Sequence, residues 1–237
     1  MTGTPLAEIE VGTHTTVEFL GLTFNIDTII STVIVGAVII ALGLLLRSQV
    51  TSKAVPGRIQ LFWETLVGAI QGQVEQLMGV SVAPYTIPLG VALFLFILFA
   101  NWIELIPTQH HVPAPTADAN TTYALALLVI IWVHVASIRR NGVGRYLAHY
   151  TQPNPGLLPL NVLEEVVKPV SLSLRLFGNI FAGGIMISII GLLPAAVLWL
   201  PHGLWTLFDM FVGVIQAVIF TLLTITYFSL QLAPADH

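Results

Sequence analysis

Arg175 stands apart from every other cation in this chain. Of the 8 lysines and arginines, Arg47, Lys53 and Arg58 form one group, and Arg139, Arg140, Arg145 and Lys168 another. After Arg175 no charged residue follows until Asp209. A guanidinium does not shed its proton, so in an apolar stretch it is a fixed positive charge in hydrocarbon. That costs about 2.5–3.5 kcal/mol on insertion scales and marks an ion pathway or a partner of opposite charge. Ser171 and Asn179 lie one turn to either side on the same helical face. Gly178, Gly183 and Gly184 would let a second helix come close. The competing reading is an arginine that snorkels to the interface. Lys168 does that more easily, because Arg175 lies about two turns deeper.

Asp209 is the sole acid between Glu165 and Asp236. Gln216 falls seven residues later on nearly the same face, with Gly213 between them and Phe220, Leu223 and Tyr227 beyond. An acid, a small residue and an amide on one stripe would line a wet path. An acid at the outer interface is the alternative, since Pro201 is only about two turns away. Asn101, Glu104 and Asp118 put polar groups at the ends of apolar runs, as boundary residues or as the lining of an aqueous entrance. His134 sits inside an apolar run and reads as a core histidine bonded to a neighbour. His110 and His111 are adjacent and point apart, and no HExxH pattern is present, so no metal is expected.

No phosphate loop, dinucleotide fingerprint or GxSxG turn occurs, so no cofactor and no covalent catalysis are expected. One fixed cation, one carboxylate and several neutral hydrogen-bonding groups suit the movement of a proton or small ion past a charged barrier.

These groups need a membrane to position them. The chain has 237 residues, 56% hydrophobic and 8% charged, against about 25% charged in soluble domains. No basic patch for nucleic acid is present, and cysteine is absent. Met1 to Glu18 carries acids and no Lys or Arg, unlike a signal or transit peptide, so the first apolar segment is expected to be retained. Apolar runs predict an all-α membrane protein with five spans, at 26–46, 86–106, 121–139, 162–193 and 203–232. The last two exceed one perpendicular crossing and should tilt. Pro194 and Pro201 bracket the loop between them. Residues 58–79 differ: Ile59, Phe62, Trp63, Leu66, Ile70, Val74, Leu77 and Met78 recur at helical spacing opposite Gln60, Glu64, Gly68, Gln71 and Glu75. That pattern is an amphipathic helix on the membrane surface. Residues 1–25 form an outer N-terminal segment. Basic loops stay in the cytoplasm, and a surface helix puts all seven loop cations there together. The N-terminus is then outside and the C-terminus inside.

The run KPVSLSLRLFGN from Lys168 to Asn179 closely resembles the subunit a family of F-type ATP synthases. FNID at Phe24–Asp27, NWIELIP at Asn101–Pro107 and IQAVIF at Ile215–Phe220 resemble that family in the same order. The resemblance implies a stator subunit in a bacterial plasma membrane, without catalysis of its own. Its partners would be the c-ring, the peripheral-stalk subunit b, the other synthase subunits, the lipid bilayer and protons. It implies that the last two helices form a tilted hairpin against the ring. Protons would enter one half-channel, neutralise a ring carboxylate and leave by the other, with Arg175 preventing a short circuit. Asn179 and Gln216 match positions beside that arginine, and Ser171 and Lys168 lie toward the inner channel. The proton-translocating set is then Arg175, Asn179, Asp209, Gln216, Ser171, Lys168, Glu165, Asp118 and Glu104. Two positions depart from the pattern. Many bacterial members carry a Glu where Gly184 stands and a His where Asp209 stands, which implies that the titratable group has moved to the facing helix. The Gly184/Asp209 combination resembles actinobacterial members. A secondary transporter or ion channel is the alternative, but it should show repeated halves, and none is visible. A membrane scaffold would leave the isolated arginine unexplained.

The topology is testable by labelling, because the chain has no cysteine of its own. Lys53→Cys and Arg145→Cys are expected to react with impermeant thiol reagents from the cytoplasmic side alone. Reaction of positions 53 and 145 from opposite sides would overturn the surface-helix reading.

Overall fold

The computed structural model describes residues 16–19, 22–50, 57–80, 83–105, 113–151 and 155–232. A short antiparallel hairpin comes first, β1 Thr16–Phe19 and β2 Leu22–Asn25, in register Thr16↔Asn25 through Phe19↔Leu22. Six α-helices follow: α1 Ile26–Gln49, α2 Arg58–Leu77, α3 Thr86–Trp102, α4 Ala119–Thr151, α5 Leu158–Ile190 and α6 Ala195–Leu232. Short 3-10 turns lie at Ile103–Leu105, Pro115–Ala117 and Pro155–Leu157. The protein is an all-α membrane protein apart from the hairpin. In α1, α4, α5 and α6 the helix is long and apolar enough to cross a bilayer. With 17 residues α3 is shorter, at the lower limit of about 17 residues for a span.

The core lies where α3 and α6 pack together and α4 packs on α5. Leu93, Ile97, Val129, Val133, Leu172, Leu176, Phe220 and Phe228 close it. A second cluster joins Ile70 and Val74 of α2 to Ile225 of α6. So α2 turns one stripe onto the helical bundle and leaves Leu61 and Phe62 exposed. Gln60 sits on the buried side, where its amide donates to Glu64 one turn away at 2.7 Å. By contrast α1 is mostly uncovered and buries only Thr28, Ser31 and Val35.

Three features depart from the sequence expectation. The hairpin was not foreseen. Pro201 lies inside α6 rather than closing a loop. It is seven residues into the helix, so only the bond to the Val197 carbonyl is lost. And α4 runs on to Thr151, well past the apolar run, through a kink at Gly142 (φ 77°, ψ 156°). That backbone conformation is nearly restricted to glycine. The kink turns the polar end of α4 back on its apolar part, so that Tyr146 reaches His134.

A Cβ at Gly142 would meet nothing within 4 Å, so the cost of Gly142→Ala is backbone strain alone. We expect the variant to lose about 1–3 kcal/mol, read as a lower thermal midpoint of the detergent-solubilised complex. An unchanged midpoint would mean that the kink is not held by the fold.

Candidate functional site

Arg175 lies in the middle of α5 and is half-buried. Among the described residues it makes no hydrogen bond or ion pair. Leu172 and Leu176 beside it face the core, whereas Ser171, Leu174, Gly178 and Phe181 are exposed. A Cβ at Gly178 would meet open space. On α6 the residues Leu204, Leu207, Phe211, Val218 and Leu222 are exposed at helical spacing. Both helices of the hairpin therefore leave an apolar side uncovered, with one fixed charge at its edge. Asn179, one turn on from Arg175, is half-buried.

Asp209 is 8% exposed and packs against α5. A Cβ at Gly183 would stand 3.4 Å from its Oδ1 and 3.5 Å from its Oδ2. The facing residue is thus Gly183, whereas the sequence singled out Gly184, about 100° further round the helix. The pairing of 183 with 209 in antiparallel helices sets Gln216 level with about residue 176, next to Arg175. The Oε1 of Gln216 is buried without a hydrogen-bond partner.

Gly213 does not leave open space between Asp209 and Gln216. A Cβ there would meet Asn101 Cβ at 3.2 Å and Trp102 Cδ1 at 3.4 Å. The end of α3 fills that gap, and Trp102 Nε1 donates to the Met210 carbonyl at 3.1 Å. Asn101 also accepts a bond from the Thr116 hydroxyl at 3.0 Å.

Asp118 is buried at the start of α4. Its Oδ2 accepts from Asn25 Nδ2 at 2.6 Å and from the Thr28 hydroxyl at 3.2 Å, and its Oδ1 caps Asn120 N at 2.8 Å. Four donors' worth of lone pairs are nearly filled, so the carboxylate pins the hairpin and α1 to α4. Thr122 and Ser173 share a buried hydroxyl contact at 3.0 Å, joining α4 to α5 close to Arg175. Glu104 falls in the 3-10 turn after α3. His110 and His111 lie outside the described residues.

A second polar group gathers at the other end. Glu165 Oε1 accepts from Lys168 Nζ and, at 2.9 Å, from Gln231 Nε2. Its Oε2 faces His134 Nε2 at 3.5 Å. On the far side of that ring, His134 Nδ1 meets the Tyr146 hydroxyl at 3.2 Å, and the Tyr150 hydroxyl donates to Tyr146 at 3.1 Å. Burial, and the Tyr146 hydroxyl beside it, push the Tyr150 hydroxyl well above the usual tyrosine range, so it stays a donor. The Lys168 ammonium lies 5.6 Å from the Tyr227 ring centroid, and Tyr227 is within electrostatic reach of both Arg175 and Glu165. Pro169 withholds the N–H that would bond the Glu165 carbonyl, leaving one more acceptor there. Ser171 is exposed, one turn from Lys168.

Sequence reasoning passed over Tyr146, Tyr150, Gln231 and Thr116. Of these only Gln231, an amide within the last apolar run, carried a signal that could have been read. Among the described residues, no three His, Asp or Glu are grouped to hold a metal ion.

Gly183→Ala is expected to be tolerated, since a methyl at 3.4–3.7 Å from the carboxyl group is an ordinary contact. Gly183→Leu should force Asp209 off α5 at a cost of about 1–3 kcal/mol. Thermal unfolding of the solubilised complex measures both, and equal midpoints would contradict the packing of Asp209 on Gly183.

The family model for the ATP synthase A chain matches residues 29–229. ATP synthase subunit a of Acidothermus cellulolyticus is 50% identical over 232 residues, 97% of this chain and 85% of that one. The protein of the same name from Mycobacterium tuberculosis is 47% identical over 240 residues, 97% of this chain and 96% of that one. That from Bacillus subtilis is 31% identical over 243 residues, 94% of this chain and 98% of that one.

Proposed function

The chain belongs to the ATP synthase A chain family, the proton-translocating stator subunit of the F-type ATP synthase, and from this premise we propose a role for each site residue. Arg175 faces a ring of c subunits across the uncovered side of the α5–α6 hairpin. It keeps the passing ring carboxylate ionised and blocks a direct proton path between two half-channels. One observation carries this reading: among the described residues the guanidinium is unpaired, in an apolar helix that leaves one side open. An unpaired charge there calls for a counter-charge from outside the chain.

Asp209, Asn179 and Gln216 form the inner part of the inlet half-channel, with Asp118 and Glu104 toward its mouth. Ser171, Lys168 and Glu165 serve the outlet. The opposite charge of Arg175 lowers the pKa of a nearby carboxylate, so a protonated ring residue releases its proton as it arrives. A lysine, which loses its own proton readily when desolvated, is a poor substitute. Each charge that crosses 100 mV carries about 2.3 kcal/mol, and a leak past Arg175 would release it as heat. The subunit catalyses nothing alone. Its setting is a bacterial plasma membrane with the N-terminus outside and the C-terminus in the cytoplasm, alongside the c-ring and the peripheral-stalk subunit b.

Arg175→Ala and Arg175→Lys should abolish ATP synthesis driven by a proton gradient in vesicles where the complex still assembles. Near-normal synthesis in Arg175→Ala would refute the central role. Asp209→Asn keeps size and polarity but removes the exchangeable proton. It should slow passive conduction through the membrane sector by about tenfold or more. Wild-type conduction in that variant would make Asp209 a structural acid.

A further inference from the structure

The outlet assignment stops at Glu165, yet the hydrogen-bonded groups continue beyond it. Glu165 Oε1 is fully engaged by Lys168 and Gln231. That pair alone would fasten α5 to α6, and Ser137 Oγ and Asn141 Nδ2, which donate to the Gln231 carbonyl at 2.9 and 3.3 Å, fasten α4 to α6. The fold therefore needs no histidine here. His134 nonetheless turns one ring nitrogen to Glu165 and the other to Tyr146, and Tyr150 extends the chain. At 3.5 Å the contact between His134 and Glu165 is longer than an ordinary hydrogen bond, as contacts that tighten only during proton transfer often are.

We propose that His134 is a proton-relay residue of the outlet, taking protons from Glu165 and passing them through Tyr146 and Tyr150 to the aqueous side. This rests on the reading of α5 and α6 as the hairpin beside the ring. The step balances as follows. A proton on the Glu165 carboxyl moves to His134 Nε2 while the Nδ1 proton moves to the Tyr146 oxygen. The Tyr146 proton moves to Tyr150, and the Tyr150 proton moves to water. Glu165 is left as a carboxylate held by Lys168 and Gln231, and every ring returns to neutral. The Tyr150 hydroxyl donates to Tyr146, and in the relay the Tyr146 hydroxyl then donates to His134 Nδ1, with Nε2–H toward Glu165. That donor order is the one such a transfer leaves behind, and rotation of the two hydroxyls with exchange of the imidazole proton resets it.

The arrangement fits a histidine better than any other side chain, because imidazole ordinarily titrates between pH 5 and 8. The titratable and charged groups facing His134 are Tyr146 on α4 itself and Glu165 and Lys168 on α5. From α6, Gln231 faces Glu165 and Tyr227 faces Lys168. The two tyrosines lie in the same stretch of α4 as the exposed Arg145, one of the cations expected on the cytoplasmic side. Gly142 supplies the turn that brings Tyr146 to the ring.

The relay predicts a pH signature. A doubly protonated His134 cannot accept from Glu165, so proton exit slows once the inner face is acid enough to charge the ring. The test is gradient-driven ATP synthesis by vesicles carrying the complete complex, against the pH of the inner face with the pH difference across the membrane held constant. Assembled His134→Gln should run about tenfold slower and lose the acid fall seen in the wild type. A wild-type rate, or a slow rate that keeps that acid fall, overturns the proposal. If His134→Gln does not assemble, Tyr146→Phe decides: slowed synthesis supports the relay, and a wild-type rate with a wild-type profile overturns it. Arg175→Ala in the same vesicles separates the two readings, because coupled synthesis in that variant refutes the hairpin assignment itself and leaves His134 no outlet to serve.

Discussion

A permanent positive charge with no partner among the described residues is the constraint on which the rest of this structure depends. Arg175 could be neutralised by an acid on α6 or α4, and none of the described residues pairs with it. The nearest carboxylates are committed elsewhere. Glu165 is held by Lys168 and Gln231, Asp118 by Asn25 and Thr28, and Asp209 packs against Gly183. Internal pairing would satisfy the charge at the expense of its use. On the proposed reading, the helices have to keep acids close enough to handle protons and too far away to cancel the arginine.

Two glycines and two hydroxyls solve much of that problem. Gly183 lets Asp209 lie on α5 without displacing it, and Gly213 lets Asn101 and Trp102 seat α3 against α6. Thr122 and Ser173 close the α4–α5 contact near Arg175 with neutral groups, which avoids placing a second charge there. The acids and amides thus occur in two groups, one on each side of the arginine along α5. Phe220, Leu172 and Leu176 fill the interval with apolar bulk.

The helices were legible in the sequence because long apolar runs need no partner to declare themselves. Arg175 was legible for the same reason, as the cation set deepest in such a run. The hairpin at 16–25 was not, because strands of 4 residues carry too short an alternation to read. The far end of α4 was missed because its residues turn polar after Arg139 while the backbone stays helical on both sides of Gly142. The facing glycine was misplaced by one residue, since sequence spacing cannot fix the rotation of two long helices about their axes. His134 and Glu165 stand 31 positions apart, and Tyr146 returns to the ring only through a backbone conformation that no hydropathy pattern announces. Side-chain groups of this kind exist only once the fold has formed.

The packing of α3 behind α6 and of α4 behind α5 also has a mechanical meaning. A stator must resist a sideways push without yielding. Any load applied to the open side of the hairpin passes through Phe220, Leu172 and Leu176 into Ile97, Val129 and Val133. Close-packed interiors have low compressibility, so this wall behaves as a stiff backstop. The same core continues to Phe228 and Leu232 beside Gln231, so the bracing behind the hairpin runs from the level of Arg175 to the end of α6.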